Sequence, residues 1–227
     1  MKKILALALS LCSFTTISNH SLPAPVSVTA PDARTASYMA VYEELRLDEY
    51  GLRRDVFEYA LKGLQKMPSI RPVISIADLS QPSSNKRLYI IDLAKRKLLF
   101  NTYVAHGRNS GELNALNFSN KNSSYQSSLG FYQTMQTYQG KHGLSLKLKG
   151  LEKGFNDNAY DRAIVIHGAD YVCEDFIRRT GRLGRSQGCP AIPNDLTPTI
   201  IEAIKGGTCL FLYHPSQQYL KMSSFLS

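Results

Sequence analysis

A chain of 227 residues, 43% of them hydrophobic, has the length for one domain with a sizeable core, or one domain plus an appended subdomain. Its formal net charge of +9 draws it toward polyanions such as nucleic acid, anionic lipid or an acidic cell-wall polymer, yet no block of like charge is long enough to act as a nucleic-acid arm. No interior stretch approaches the about 18 unbroken apolar residues that span a bilayer, so no transmembrane segment is expected in the mature chain.

The N-terminus differs from the rest. Lys2 and Lys3 precede an apolar run from Ile4 to Leu11, which fades into Ser13, Thr15, Thr16 and Ser18. A charged start, a short apolar centre and small polar residues read as a secretory signal peptide over residues 1–20. Export to the periplasm or the cell wall is the expectation, and loss of Lys2 and Lys3 lowers the net charge by two. The bulky Leu11 before Cys12 argues against a lipoprotein box. Residues 21–34, with Pro23, Pro25 and Pro31, read as a tether.

Residues 35–70 read as a helical segment. Tyr38, Tyr42 and Leu45 recur at helical spacing, and Val56, Ala60 and Leu64 repeat it after a break at Gly51. Asp48 or Arg53-Arg54-Asp55 marks the second start, and Met67-Pro68 the stop. The pair is expected to pack on the main domain.

From Pro72 the pattern turns to β. Leu88–Leu93 and Leu98–Val104 flank Lys95-Arg96-Lys97 and read as a hairpin. Asn117–Ser128 reads as loop. Leu129–Thr134, Ser145–Leu148, Arg162–His167 and Cys209–Tyr213 read as strands. Asn194 or Asp195 is placed to cap a helix that Gly206-Gly207 stops. Many short strands with three convincing helices predict a mainly β core with packed helices, an α+β class. The catalytic domain is expected over residues 71–215, with a C-terminal tail over 216–227.

The chemistry gathers between Ile164 and Pro193. His167 ends a stiff β-branched strand, and Cys189 sits in a Gly-flanked turn well downstream. A thiol attacks as thiolate, and its free pKa of about 8.5 leaves a minority ionised at neutral pH. We therefore take Cys189 as a nucleophile and His167 as its base. The Gly168 carbonyl is placed to hold the far ring nitrogen. Backbone N–H groups around Gly188 and Cys189 are candidate oxyanion donors. Arg185, Ser186 and Gln187 are polar neighbours expected to meet substrate. Removing Cys12 with the leader leaves Cys173, Cys189 and Cys209, an odd number; Cys173 with Cys209 is one possible disulfide. His106, His142, His167, Cys173 and Cys189 show no paired metal-ligand spacing, so no metal or other cofactor is expected. His106 and His142 receive no role from the sequence.

The same stretch resembles a known family. His167-Gly168 followed by Gly184-Arg185-Ser186-Gln187-Gly188-Cys189-Pro190 is similar to the signature of murein L,D-transpeptidase catalytic domains. The likeness extends through Arg87-Leu88-Tyr89, Tyr103–Gly111, Ser127–Tyr132, Tyr138–Gly143, Gly150–Gly154 and Asn156–Ala159, and covers roughly residues 40 to 215. The resemblance implies a β-sandwich or barrel catalytic domain with Cys189 as acylated nucleophile and His167 as general base. It places Ser128–Phe131 on a strand lining the site. Gln187 stands where the wider family has a second His, leaving His167 alone as base. Ala191 stands where the wider family often has Arg, so a substrate carboxylate must meet Arg185, Arg108 or nothing. The implied partner is a peptidoglycan stem peptide: a tetrapeptide donor forms a Cys thioester and passes it to an amine, giving a 3→3 cross-link. A hydrolase sharing the acyl-enzyme, acting on stems as an L,D-carboxypeptidase or amidase, is the alternative. A wall-binding module with a vestigial pair and a papain-like protease are further rivals; the latter normally places Cys before His. The sequence carries no signal for oligomeric state.

Overall fold

A computed structural model gives the fold, described for residues 33–67 and 71–227. The expected signal peptide over 1–20, Cys12 and nearly all of the tether over 21–34 lie outside the described residues.

Helix α1 spans Ala33–Glu44 and α2 spans Arg54–Gln65. Val41 and Tyr42 of α1 are buried together with Leu47 and Leu52 of the intervening turn, and Tyr42 Oη donates to Leu52 O at 2.8 Å. Helix α2 starts beside the predicted Arg53-Arg54-Asp55 and buries Val56, Phe57, Ala60, Leu61 and Leu64. Burying one such side chain fully stabilises by about 1.5–3 kcal/mol for Val, Leu or Phe. Gly63 marks the closest approach to the sheet: a Cβ there would lie 2.0 Å from Phe131 Cζ. The helix pair therefore packs on the β core, as its apolar stripes predict.

The core is one mixed eight-stranded sheet. Its strands are β1 Val73–Asp78, β2 Leu88–Asp92, β3 Lys97–Thr102, β4 Gly130–Gly140, β5 Gly143–Gly150, β6 Val165–Gly168, β7 Ala191–Ile192 and β8 Cys209–Tyr213, in the spatial order β3-β2-β1-β8-β4-β5-β6-β7. Only β1–β8 and β6–β7 pair in parallel. Strands β1 and β8 are buried along their whole length, so they read as near-continuous apolar runs. Phe131 and Phe211 stack across the β4–β8 pair with ring centroids 4.1 Å apart. The two sheet edges meet: Ala105, just past β3, donates its N–H to Ala191 O of β7 at 2.8 Å. That bridge nearly closes the sheet into a barrel, and helices cover it, which is the α+β class expected. At the C-terminal end, helix α5, Gln217–Met222, is anchored by buried Tyr219, whose hydroxyl donates to Glu152 Oε2 at 2.9 Å. No helix among the described residues is long and apolar enough to cross a membrane.

Three expectations need correction. After the short helix α3, Glu174–Thr180, helix α4 spans Thr197–Ile204 and begins after Asn194 and Asp195, with Pro198 in its first turn. Asn194 does not cap it; its Nδ2 donates to Asp170 instead. Cys173 and Cys209 are both free thiols, Cys209 being buried in the central strand β8, so the disulfide allowed by parity is not formed. Strand β4 runs past Thr134 to Gly140 and turns at Lys141-His142 into β5. The sequence left that turn unassigned.

Candidate active site

Pairing of β6 with β7 brings the histidine and the cysteine together. His167 is registered with Ala191 in parallel and with Ser145 of β5 on its other side. Cys189 lies two residues before Ala191, so the same register sets it beside Val165, two residues before His167 on β6. The Cys189 and His167 side chains line one cavity of about 650 Å³.

The turn carrying Cys189 is self-supporting. Ser186 Oγ accepts from Gly188 N at 3.0 Å and donates to Cys189 O at 2.6 Å. Gly188 has φ +120, a region that side chains avoid, and a Cβ there would lie 2.8 Å from Gln126 O. Outside the turn, Ser186 N donates to His106 O at 3.0 Å and Arg108 N to Ser186 O at 2.8 Å. His106 is itself fixed. Arg87 Nη2 donates to its Nδ1 at 2.8 Å, so its Nε2 carries the proton and donates to Gly111 O at 3.2 Å. Arg87 is fully buried and also donates to Val104 O and Gln81 O. His106 is therefore a scaffold for the Cys189 turn and does not face the cavity.

Gly168 is needed because no side chain fits at its position. It continues β6 and pairs with Ile192, and a Cβ on it would lie 2.3 Å from Asn194 Oδ1 and 2.6 Å from Thr197 Oγ1. Its carbonyl accepts from His167 Nδ1 at 2.8 Å. That contact fixes the tautomer, because a carbonyl only accepts: Nδ1 bears the proton and Nε2 keeps its lone pair in the neutral ring. Burial pushes the His167 pKa below the ordinary value, and neighbouring His142 and Lys141 push it the same way. Burial raises the Cys189 thiol, while a backbone hydrogen bond at Val165 and the charges of Arg162 and Lys141 pull it back. At rest the cavity thus holds a thiol and a neutral imidazole, with no standing ion pair. The thiol points at Ala163 O, 3.7 Å away. Ala163 has φ +53, a left-handed conformation that costs a non-glycine residue about 1–2 kcal/mol.

Residues 48–213 match the L,D-transpeptidase catalytic domain. The chain belongs to that family. Among solved structures it is similar to an L,D-transpeptidase from Mycobacterium smegmatis (10% identity, 63% of this chain and 59% of that one, TM-score 0.39). It is also similar to an L,D-transpeptidase from Mycobacterium tuberculosis H37Rv (13%, 63% and 58%, TM-score 0.36) and to Bd1075 from Bdellovibrio bacteriovorus (13%, 65% and 50%, TM-score 0.39). The chain spans between half and three-fifths of the length of these three structures. No curated protein matches it.

Within this L,D-transpeptidase domain the sequence-derived site residues separate. Arg185, Ser186 and Gln187 line the cavity with Cys189, whereas Gly188 sits behind it. Arg185 is already committed: its guanidinium pairs with Glu112 and donates to Arg108 O and Gly111 O. Arg108 lies over the Tyr125 ring, 4.1 Å from its centroid. Neither arginine is a ready carboxylate anchor. Lys141, at the β4–β5 tip, lines the cavity without an acidic partner among the described residues. Beside it His142 stacks on His167, with ring centroids 4.4 Å apart and planes 21° apart. The expected Ser128–Phe131 lining is displaced: the far end of β4, at Tyr138 and Gly140, reaches the cavity. Tyr171 and Arg162 complete the wall, and the sequence pointed to neither. Among the described residues no group of three or more His, Cys, Asp or Glu is placed to hold a metal.

Proposed function

We propose that the protein is a peptidoglycan L,D-transpeptidase that works through a Cys189 thioester. The observation that carries this reading is the shared cavity: His167, with Nδ1 committed to Gly168 O, opens onto the same space as Cys189 on its glycine turn. With burial holding the thiol protonated and the imidazole neutral, ionisation belongs to the reaction step itself. Nε2 of His167 takes the Sγ proton as sulfur attacks the carbonyl of the third residue of a tetrapeptide stem. The Cys189 N–H meets the developing oxyanion, because the Gly188 N–H is already bound by Ser186 Oγ. The imidazolium passes its proton to the leaving D-Ala amine. The side-chain amine of a neighbouring stem then displaces sulfur and closes a 3→3 cross-link; water in its place yields a tripeptide. Lys141 receives a carboxylate of the stem. No metal or organic cofactor takes part in this scheme. Such a substrate lies outside the cytoplasm, in keeping with a leader over residues 1–20.

The test is incubation with purified disaccharide-tetrapeptide, reading products by mass. Cross-linked dimer identifies a transpeptidase, tripeptide alone an L,D-carboxypeptidase, and unchanged substrate contradicts both. A carbapenem, whose strained carbonyl acylates active-site thiols, should add to the wild type and not to Cys189→Ala.

A further inference from the structure

Arg162 has no part in the reaction just described, yet it lines the reaction cavity with Cys189. Its guanidinium is half-buried and roots the 119–128 loop through four oxygens. Nη1 donates to Ser119 O at 2.8 Å and to Ser128 Oγ; Nη2 donates to Gln126 O at 2.7 Å and to Ser124 Oγ at 3.2 Å. All four are uncharged, and no acid pairs with Arg162 among the described residues. Arg185 differs, since Glu112 cancels its charge. A guanidinium stays protonated in any protein setting, so Arg162 keeps a whole charge that no acid balances. Its position is specific. Nη2 lies 3.3 Å from where a Cβ on Gly188 would stand, against the residue before the nucleophile. The next residue in sequence, Ala163, supplies the carbonyl that the thiol faces.

We propose that Arg162 is a positioning residue whose unbalanced charge serves as counter-ion to the Cys189 thiolate. The inference rests on the acyl-enzyme reading above. In the step, the Sγ–H bond breaks and an Nε2–H bond forms on His167. The electron pair stays on sulfur, in a site where burial weakens screening by water and salt. The other titratable groups around the thiol are His167 on β6, Lys141 and His142 on the β4–β5 tip, Tyr132 and Tyr138 of β4, Tyr125, Tyr171 and Arg185. Of the charged ones, Arg162 and then Lys141 favour the ionised sulfur. Lys141 sits on an exposed turn, which leaves Arg162 as the fixed charge.

The experiment is the pH dependence of Cys189 alkylation by iodoacetamide in the full chain, read on the tryptic peptide 186–205, where Cys189 is the only cysteine. Arg162→Gln should move the midpoint upward by about one pH unit, about tenfold less alkylation at neutral pH, and Arg162→Lys should restore the rate to within about threefold. A folded Arg162→Gln protein with the wild-type midpoint overturns the assignment. Should Arg162→Gln fail to fold, the decision passes to the Lys141→Ala protein at low salt. There anionic iodoacetate should react at least as fast as neutral iodoacetamide, and slower reaction overturns the assignment. Alkylation reads the thiol whatever substrate the enzyme takes. A shifted midpoint without cross-linked product would therefore leave Arg162 assigned and refute only the transpeptidase reading.

Discussion

His106, in the segment beyond β3, and His167, on β6, are both buried histidines, and they differ in how many ring nitrogens the protein uses. His106 has both engaged, one by Arg87 and one by Gly111 O. His167 has one engaged by Gly168 O, and its Nε2 has no partner among the described residues. Burial depresses both pKa values. The first is a structural pin because nothing is left for chemistry; the second is a candidate base because one lone pair is left facing a cavity. Burial and a perturbed pKa are thus poor guides by themselves, and the count of uncommitted polar atoms separates scaffold from site.

Replacing each residue breaks the comparison in opposite directions. The largest effect expected is on turnover in His167→Ala, a fall of about 10²–10⁴-fold, with unfolding by denaturant within about 1 kcal/mol of wild type. His106→Ala should do the reverse. It leaves the buried Arg87 short of an acceptor and loosens the turn at Ser186, for a loss of about 2–4 kcal/mol in the same denaturant measurement. A His106 variant that loses turnover at unchanged stability would collapse the distinction.

The pH dependence of stability sharpens it further. His106 titrates at about 4 when folded against 6.5 as a free group, because burial and the Arg87 charge disfavour its protonated form. The unfolded chain therefore binds the proton more tightly. Stability from this residue is intact above about 6.5 and is lost as pH falls toward about 4, by about 3 kcal/mol. His167 and His214 are shifted the same way, and add to the same loss. Chemical denaturation at a series of pH values should show the slope, and His106→Gln should flatten most of it.

The smallest effect concerns His142. His142→Phe keeps the stack on His167 and removes a titratable neighbour that lowers the His167 pKa. The acidic limb of kcat/KM should then move to higher pH, while kcat at alkaline pH stays near wild type. A limb that does not move would make His142 a packing partner only.

Much of this was legible in the sequence. The β-branched run before His167, the hairpin around Lys95-Arg96-Lys97 and the glycines flanking the cysteine turn announce themselves locally, because backbone preference and polarity alternation act over a few residues. What stayed hidden depends on contacts between distant segments. His106 meets Arg87 across a strand and a loop. Asn194 is drawn from capping α4 to Asp170 by the packing against Gly168. Strand β7 is two residues long, too short for any periodicity, yet its pairing with β6 sets the Cys189 turn against the strand that carries His167. The Lys141-His142 turn lacks the Asn-Gly or Asp-Gly pair that marks tight hairpins, and Arg162, ahead of an apolar strand, looks like an ordinary solvated end. Only the fold turns it inward onto Ser119, Ser124, Gln126 and Ser128.

Intact mass of the protein mixed with disaccharide-tetrapeptide and quenched in acid tests the thioester at Cys189 most directly. The account predicts a species heavier than the enzyme by the donor less D-Ala, absent in Cys189→Ala and mapped to the peptide 186–205 in wild type. The same adduct on Cys189→Ala, or product formed with the adduct on another residue, would contradict it.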